Sequence, residues 1–310
     1  MKEFELIERL TRSLYTNDAV VTGPGDDCAV LDLGLPDRLI LFKTDALVEG
    51  IHFTHETPAD KVGHKVLARC LSDIAAMAGT PSSALITIGL PRDFDFKYLE
   101  GIYQGINALA QQYDVAMAGG ETTTNPERIF ISISLLGWVP KGKAVLRSGA
   151  KTGDAIFVTG TLGGSLQRKH LEFEPRLTEA RWLVEHFAIH AMIDLSDGLG
   201  GDLPHILKAS GAGAELLASA IPISREAKHA AKESGTAKPA LLAALTDGED
   251  FELLFTVPSA DAVPLLDAWK RQFPGTLLSC IGKITAGTAL VIRDKKGVRP
   301  LMVHGYEHFA

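Results

Sequence analysis

Apolar runs of strand length alternate along this chain with stretches of helical periodicity, and acidic turns border those runs repeatedly. Alternation of this kind demands layered packing, because each strand face and each helix stripe has to bury its apolar side against another element. Helical spacing of Phe4, Ile7, Leu10 and Leu14 predicts a short amphipathic opening helix. Residues 28–33 and 39–42 read as strands joined by a turn containing Gly34 and Pro36. A helical stretch over 59–77 stops at Gly79-Thr80-Pro81. A strand at 84–90, a helix at 96–112 and strands near 115–118 and 129–139 complete the first series. At 310 residues the chain is long for one domain. The turn-rich Val139-Pro140-Lys141-Gly142-Lys143 sets the boundary, giving domains 1–140 and 141–310. The second series has strands near 155–159 and 251–257 and helices near 177–187, 202–209 and 260–272.

The chemistry lies in the carboxylates. Gly25-Asp26-Asp27 precedes a strand, Thr44-Asp45 follows one, and Gly119-Gly120-Glu121-Thr122-Thr123 follows the strand ending at Ala118. Asp194-Leu195-Ser196-Asp197-Gly198 comes after an apolar run, and Gly248-Glu249-Asp250 precedes the next strand. Loops gather at one edge of a sheet, so acids at strand ends can converge. Converging carboxylates repel unless cations sit between them, and oxygen-only ligand sets suit Mg²⁺. Ordinary turn and helix-cap chemistry accounts for any one of these acids. Asp73 is the exception, because an ionised group inside the apolar helical stretch Leu71-Ser72-Asp73-Ile74-Ala75-Ala76-Met77 is costly without a partner.

Other chemistries lack their signals. No G-x-x-x-x-G-K-[ST] loop occurs, and Gly23-Pro24-Gly25-Asp26-Asp27-Cys28 fails the dinucleotide fingerprint at its last glycine. The glycine turn 159–165 follows a strand and either wraps a phosphate or is a plain turn. No Ser/His/Asp constellation stands out, and the ten histidines show no metal-ligand spacing. Cys28, Cys70 and Cys280 are far apart and read as buried, reduced thiols. A net charge of −7 with no basic cluster argues against a nucleic-acid partner. The acidic start and the absence of an apolar run near 20 residues predict a cytoplasmic protein with no membrane span.

Taken together, these motifs resemble the thiamine-monophosphate kinases, in the superfamily that includes aminoimidazole ribonucleotide synthetase, selenophosphate synthetase and a hydrogenase-maturation protein. The matching stretches are 25–31 (GDDCAVL), 44–53 (TDALVEGIHF), 71–78 (LSDIAAMA) and 119–123 (GGETT), then 147–153 (RSGAKTG), 191–199 (AMIDLSDGL) and 246–255 (TDGEDFELLF). They span most of the chain in the family's order. The resemblance implies an aminoimidazole-ribonucleotide-synthetase-like fold, with an N-terminal α/β domain whose sheet pairs across a homodimer and a C-terminal α+β domain. It implies phosphoryl transfer from ATP to thiamine phosphate, giving thiamine diphosphate and ADP. The magnesium ligands it implies fall on Asp27, Thr44, Asp45, Asp73, Glu121, Asp194 and Asp197, of which Asp45, Asp73 and Asp197 serve catalysis. Implied ATP contacts fall on Gly120, Glu121, Arg147 and Ser196, and thiamine-phosphate contacts on His52, Glu249 and Tyr306. Tyr306 would face the thiazolium by a cation–π contact or else pack on the core.

Four features depart from the family pattern: Lys43 beside the acidic strand, Glu121 in place of Asp, Asp247 in place of Gly, and a short 165–175 segment. They leave open another acceptor within the superfamily, or a non-catalytic nucleotide-binding scaffold. A pure scaffold has no need to hold so many like charges together.

Overall fold

Two sheets, each drawn from one half of the sequence, share one long helix between them. The computed structural model describes residues 3–233, 238–303 and 305–306, with the backbone alone at 3 and 4. The first half contains α1 (Glu3–Thr11), β1 (Val20–Thr22), β2 (Ala29–Leu31), β3 (Arg38–Val48) and α2 (Ala59–Ala76). It continues with β4 (Thr80–Leu90), α3 (Phe96–Gln112), β5 (Ala116–Thr124) and β6 (Phe130–Pro140). The second half contains β7 (Ala155–Thr159), α4 (Leu177–His186), β8 (Ala191–Asp194), α5 (Leu199–Ser210), β9 (Gly213–Leu217) and α6 (Arg225–Glu233). There follow α7 (Ala240–Thr246), β10 (Leu253–Val257), α8 (Ala262–Gln272), β11 (Leu278–Thr285), β12 (Leu290–Asp294) and β13 (Gly297–Pro300).

The six-stranded sheet runs β1-β2-β3-β6-β4-β5 and the seven-stranded sheet β13-β12-β9-β11-β7-β10-β8. Each is antiparallel except for one parallel pair, β4 with β5 and β12 with β9. A parallel pair needs a long crossover, which α3 supplies between β4 and β5.

α2 positions everything that follows. Val62, Val66, Leu67, Leu71 and Ile74 are buried, and the helix packs on α3, β3 and β6 and reaches α4 and β8 of the other half. Its approach to α3 leaves no room for side chains at two glycines. A Cβ on Gly63 would lie 1.9 Å from the Ile102 carbonyl oxygen, and one on Gly105 would lie 2.0 Å from that of Asp60. One continuous apolar cluster joins Leu41, Leu71 and Ile133 to Phe157, Leu253 and Phe255, so the core crosses from sheet to sheet. The opposite face of the first sheet is uncovered: Phe42, Leu85 and Leu136 are 44, 50 and 39% exposed. No helix among the described residues is long and apolar enough to cross a membrane.

Several elements differ from the sequence expectation. The strand expected at 39–42 runs Arg38–Val48 and carries Thr44 and Asp45 inside it, because β6 pairs with it along its full length. Gly119, Gly120 and Glu121 likewise lie within β5 rather than after a strand, held by register with β4. The opening helix ends at Thr11, leaving Leu14 outside, and the Phe4 side chain lies outside the described residues. Strands β8, β9, β11, β12 and β13 were not expected. All but β11 are five residues or fewer, and pairing rather than local pattern holds them.

Glu252, 1% exposed, ties the short 165–176 segment to the second sheet. Thr159 Oγ1, Lys169 Nζ and Arg176 Nε donate to its carboxylate at 2.7, 2.8 and 2.8 Å. Burial alone would raise this carboxyl, but Lys169 and Arg176 outweigh it and pull it to about 2 from an ordinary 4.5. A depressed value means the stabilisation is complete above pH 4.5 and drains as pH falls toward 2. We therefore expect Glu252→Gln to cost about 2–3 kcal/mol at neutral pH, since it removes the buried partner of two half-buried cations. Urea unfolding from pH 7 down to pH 3 should show that loss shrinking as the wild type weakens.

Candidate active site

The buried face of α2 carries a charged stripe. Lys65, Arg69 and Asp73 recur every four residues, which stacks them on one side of the helix. Asp73, Asp27 from the loop before β2, and Asp194 from the end of β8 each bring a carboxylate oxygen within 4.8 Å of the others. Arg147 Nη2 donates to Asp27 Oδ1 at 2.6 Å, Lys43 Nζ to Asp73 Oδ1 at 2.8 Å, and Ser72 Oγ to Asp194 Oδ2 at 2.6 Å. Burial raises Asp73 well above the usual carboxylate range, against the pull of Lys43. Burial and then the charge of Asp27 push Asp194 up to about 6. Asp27 Oδ2 is buried and has no hydrogen-bond partner. An orphaned oxygen among crowded carboxylates fits a hard divalent cation such as Mg²⁺.

Two cavities adjoin this cluster. The first, about 790 Å³, is lined by Asp26, Arg147, His205 and the first turn of α5 at Gly200 and Gly201. A helix N-terminus with glycines and an arginine suits anionic phosphates. Burial and the charges of Arg147 and Lys208 hold His205 down at about 4, so its ring is neutral at pH 7. The second cavity, about 450 Å³, is lined by His52, Arg69, Ser196, Glu249 and Phe251. Asp197 and Tyr306 line both, and the Tyr306 N–H donates to the Asp197 carbonyl at 3.1 Å.

The turn carrying Glu249 is strained. Glu249 and Phe251 adopt left-handed backbone conformations, with φ of 52° and 49°. Backbone donation from Glu249 to the Ser196 carbonyl at 2.6 Å and from Phe251 to the Leu195 carbonyl at 2.8 Å holds them there. The fully buried Lys65 ammonium donates to Glu249 Oε2 at 2.7 Å, and His170 Nδ1 lies 3.0 Å from the same oxygen. Burial would raise Glu249, but His170 and Lys65 prevail and bring it to about 2.

Of the acids and contacts expected from the sequence, Asp27, Asp73 and Asp194 converge. Asp45 lies beside them, pairing with Arg69 Nε at 2.9 Å. Arg147 and Asp197 border the first cavity, and His52, Ser196, Glu249 and Tyr306 the second. Thr44 alternates to the other sheet face, where its hydroxyl meets Ser132 and Ser134 at 3.3 and 3.4 Å. Gly120 and Glu121 line a separate cavity of about 330 Å³ between β5 and α3. The glycine turn after β7 is no phosphate cradle, since the Gly163 and Gly164 N–H groups are given to Asp250 and Asp247. Lys65, Arg69, His170 and His205 were not singled out beforehand. The period of four shared with Asp73 was the signal for the first two.

The comparisons give this geometry its context. Residues 25–139 match the AIR synthase related protein N-terminal domain, and 151–295 match the corresponding C-terminal domain. The chain thus has the two-domain AIR synthase-like fold, with mixed sheets and helices. It is 42% identical to the thiamine-monophosphate kinase of Rhodopirellula baltica, over 87% of this chain and 85% of that one. It is 37% identical to that of Escherichia coli strain K12, over 99% and 98%. The solved complex of AaThiL with AMPPCP and TMP superposes with a TM-score of 0.85 at 30% identity, covering 99% of this chain and 97% of that one. The chain belongs to the thiamine-monophosphate kinase family.

Because the Asp194 carboxyl is raised to about 6, its charge costs folded-state stability above that pH. Asp194→Asn is expected to raise the melting temperature in EDTA and to show no further rise with Mn²⁺, where the wild type is expected to show one. Scanning calorimetry with and without Mn²⁺ checks both.

Proposed function

We propose that this enzyme moves the terminal phosphoryl group of ATP directly onto thiamine phosphate, giving thiamine diphosphate and ADP. One observation carries the reading: the fold matches the AaThiL complex with AMPPCP and TMP over nearly the whole chain. Two cavities that share a wall at Asp197 and Tyr306 suit a two-substrate transfer.

In this reading ATP occupies the first cavity, its phosphates against Arg147 and the first turn of α5, while Ser196, expected as an ATP contact, lines the second cavity instead. Thiamine phosphate occupies the second, with Glu249 toward the aminopyrimidine, Tyr306 toward the thiazolium and His52 on the wall. Asp27, Asp73 and Asp194 hold Mg²⁺, flanked by Asp45 and Asp197; Thr44 can contribute only its carbonyl oxygen. When bound, the metal supplies charge neutralisation between the two sets of phosphates. A phosphate monoester is already an anionic nucleophile, so the protein needs no general base. Its side chains position the reacting groups in line and keep water out.

Gly120 and Glu121 join the ATP site in this reading through a second copy of the chain. The homodimer is supported by the position of β5 at the sheet edge and by the exposed Phe42, Leu85 and Leu136. Residues 1–140 then form the ATP- and metal-binding domain and 141–310 the C-terminal domain. The protein works in the cytoplasm, where its nucleotide is supplied.

Incubation with Mg·ATP and thiamine phosphate should yield ADP and a new diphosphate in equal amounts by ³¹P NMR, and neither in EDTA. Orthophosphate released at an acceptor-independent rate would overturn the direct transfer. Asp45→Asn and Asp73→Asn should each lower kcat by roughly 10²–10³-fold or more, on the scale of losing a major electrostatic contact, without loss of fold. Light scattering should report twice the chain mass.

A further inference from the structure

We infer that Arg69 anchors the phosphate of the acceptor and thereby sets the preference for a phosphorylated over an unphosphorylated thiamine-like molecule. This rests on the second cavity being the acceptor site. Among the described residues lining that cavity, Arg69 is the sole arginine or lysine, whereas Asp197, Asp247 and Glu249 also line it. A phosphate monoester cannot be held beside three acids without a cation. The other cations nearby are committed: Lys65 donates to the His52 carbonyl, to His170 and to Glu249 at 3.0, 2.8 and 2.7 Å. His170 itself lies against Glu249.

Arg69 is fixed but not exhausted. Its Nε donates to Asp45 Oδ2 at 2.9 Å, which pins the guanidinium between the metal-cluster side and the cavity. Its Nη1 is buried with no hydrogen-bond partner, and the nearest paired acid, Glu249 Oε1, stands 3.9 Å away, beyond hydrogen-bond reach. The side chain is only 15% exposed, and the guanidinium carbon lies 6.0 Å from the Phe251 ring centroid. Nη1 is sealed from solvent, so an arriving phosphate meets the part of the guanidinium side chain that remains exposed to the cavity. With Nε held by Asp45, the planar group keeps a fixed orientation that a flexible lysine cannot reproduce. With one edge on Asp45, the fork turns the phosphate toward the carboxylate cluster where transfer takes place.

Calorimetric titration of thiamine phosphate and of thiamine into wild type, Arg69→Gln and Arg69→Lys tests the assignment. The wild type should hold thiamine phosphate at least roughly tenfold more tightly than thiamine, as expected of a charge-assisted contact. Arg69→Gln should bind both alike, and its KM for thiamine phosphate should rise at least roughly tenfold, the loss expected of a charge-assisted contact. Its KM for Mg·ATP should change far less than that for thiamine phosphate, since Arg69 does not line the first cavity. A merely structural residue would weaken both ligands together. If Arg69→Gln does not fold, Arg69→Lys carries the comparison and should lose most of the preference. Either folded variant keeping the wild-type preference overturns the role of Arg69. A wild type that binds neither compound overturns the reading of the cavity instead.

Discussion

Like charges crowded out of water are the constraint on which this architecture turns. Asp27, Asp73 and Asp194 come from a loop, a helix and a strand end in different parts of the chain, and left alone they would repel one another. Lys43 from β3 and Arg147 from the link between the sheets relieve part of that repulsion. Satisfying five side chains from five places fixes where the elements may lie. α2 has to sit between the sheets with its charged stripe inward, and β8 has to end where Ser72 can reach Asp194. The apolar core supplies the bulk of the cohesion, while the charges decide its registration.

The second half is fastened to that helix by a polar clasp. Lys65 reaches across to Glu249, and His64 Nε2 meets the Phe173 carbonyl oxygen at 2.8 Å. Phe173 stacks on Phe251 with ring centroids 4.0 Å apart, so the short 165–176 segment braces the strained turn from outside. The left-handed conformations of Glu249 and Phe251 are tolerated because hydrogen bonds, an ion pair and a stacked ring all hold the same few residues.

Much of this was legible in the sequence where local pattern and tertiary context agree. α2 was visible from its periodicity, and Asp73 from being an acid in an apolar stretch. The fold and the converging acids followed from ordered motifs that resemble one family. What escaped notice was decided by partners distant in sequence. Lys43-Thr44-Asp45 looks too polar for a strand interior, yet β6 carries β3 straight through it. Glycines at 119 and 120 suggested a turn, yet a Cβ on Gly120 would lie 1.8 Å from the Ile86 carbonyl oxygen, so that glycine serves strand pairing. Lys65 and Arg69 were not singled out. Recognising that they share a face with Asp73 requires asking which stripe of the helix faces inward.

The two cavities have a common wall. Asp197 and Tyr306 line both, and a backbone hydrogen bond ties one to the other. On the proposed assignment of the cavities, nucleotide and acceptor cannot drift independently over evolution, because reshaping the partition for a new acceptor also disturbs the nucleotide's berth. Diversification is freest at the outer rim of the second cavity, at Ile51, Thr54 and Leu166, which line that cavity and not the other. A lineage of such enzymes should explore new acceptors from the edge inward, with the partition among the last features to change.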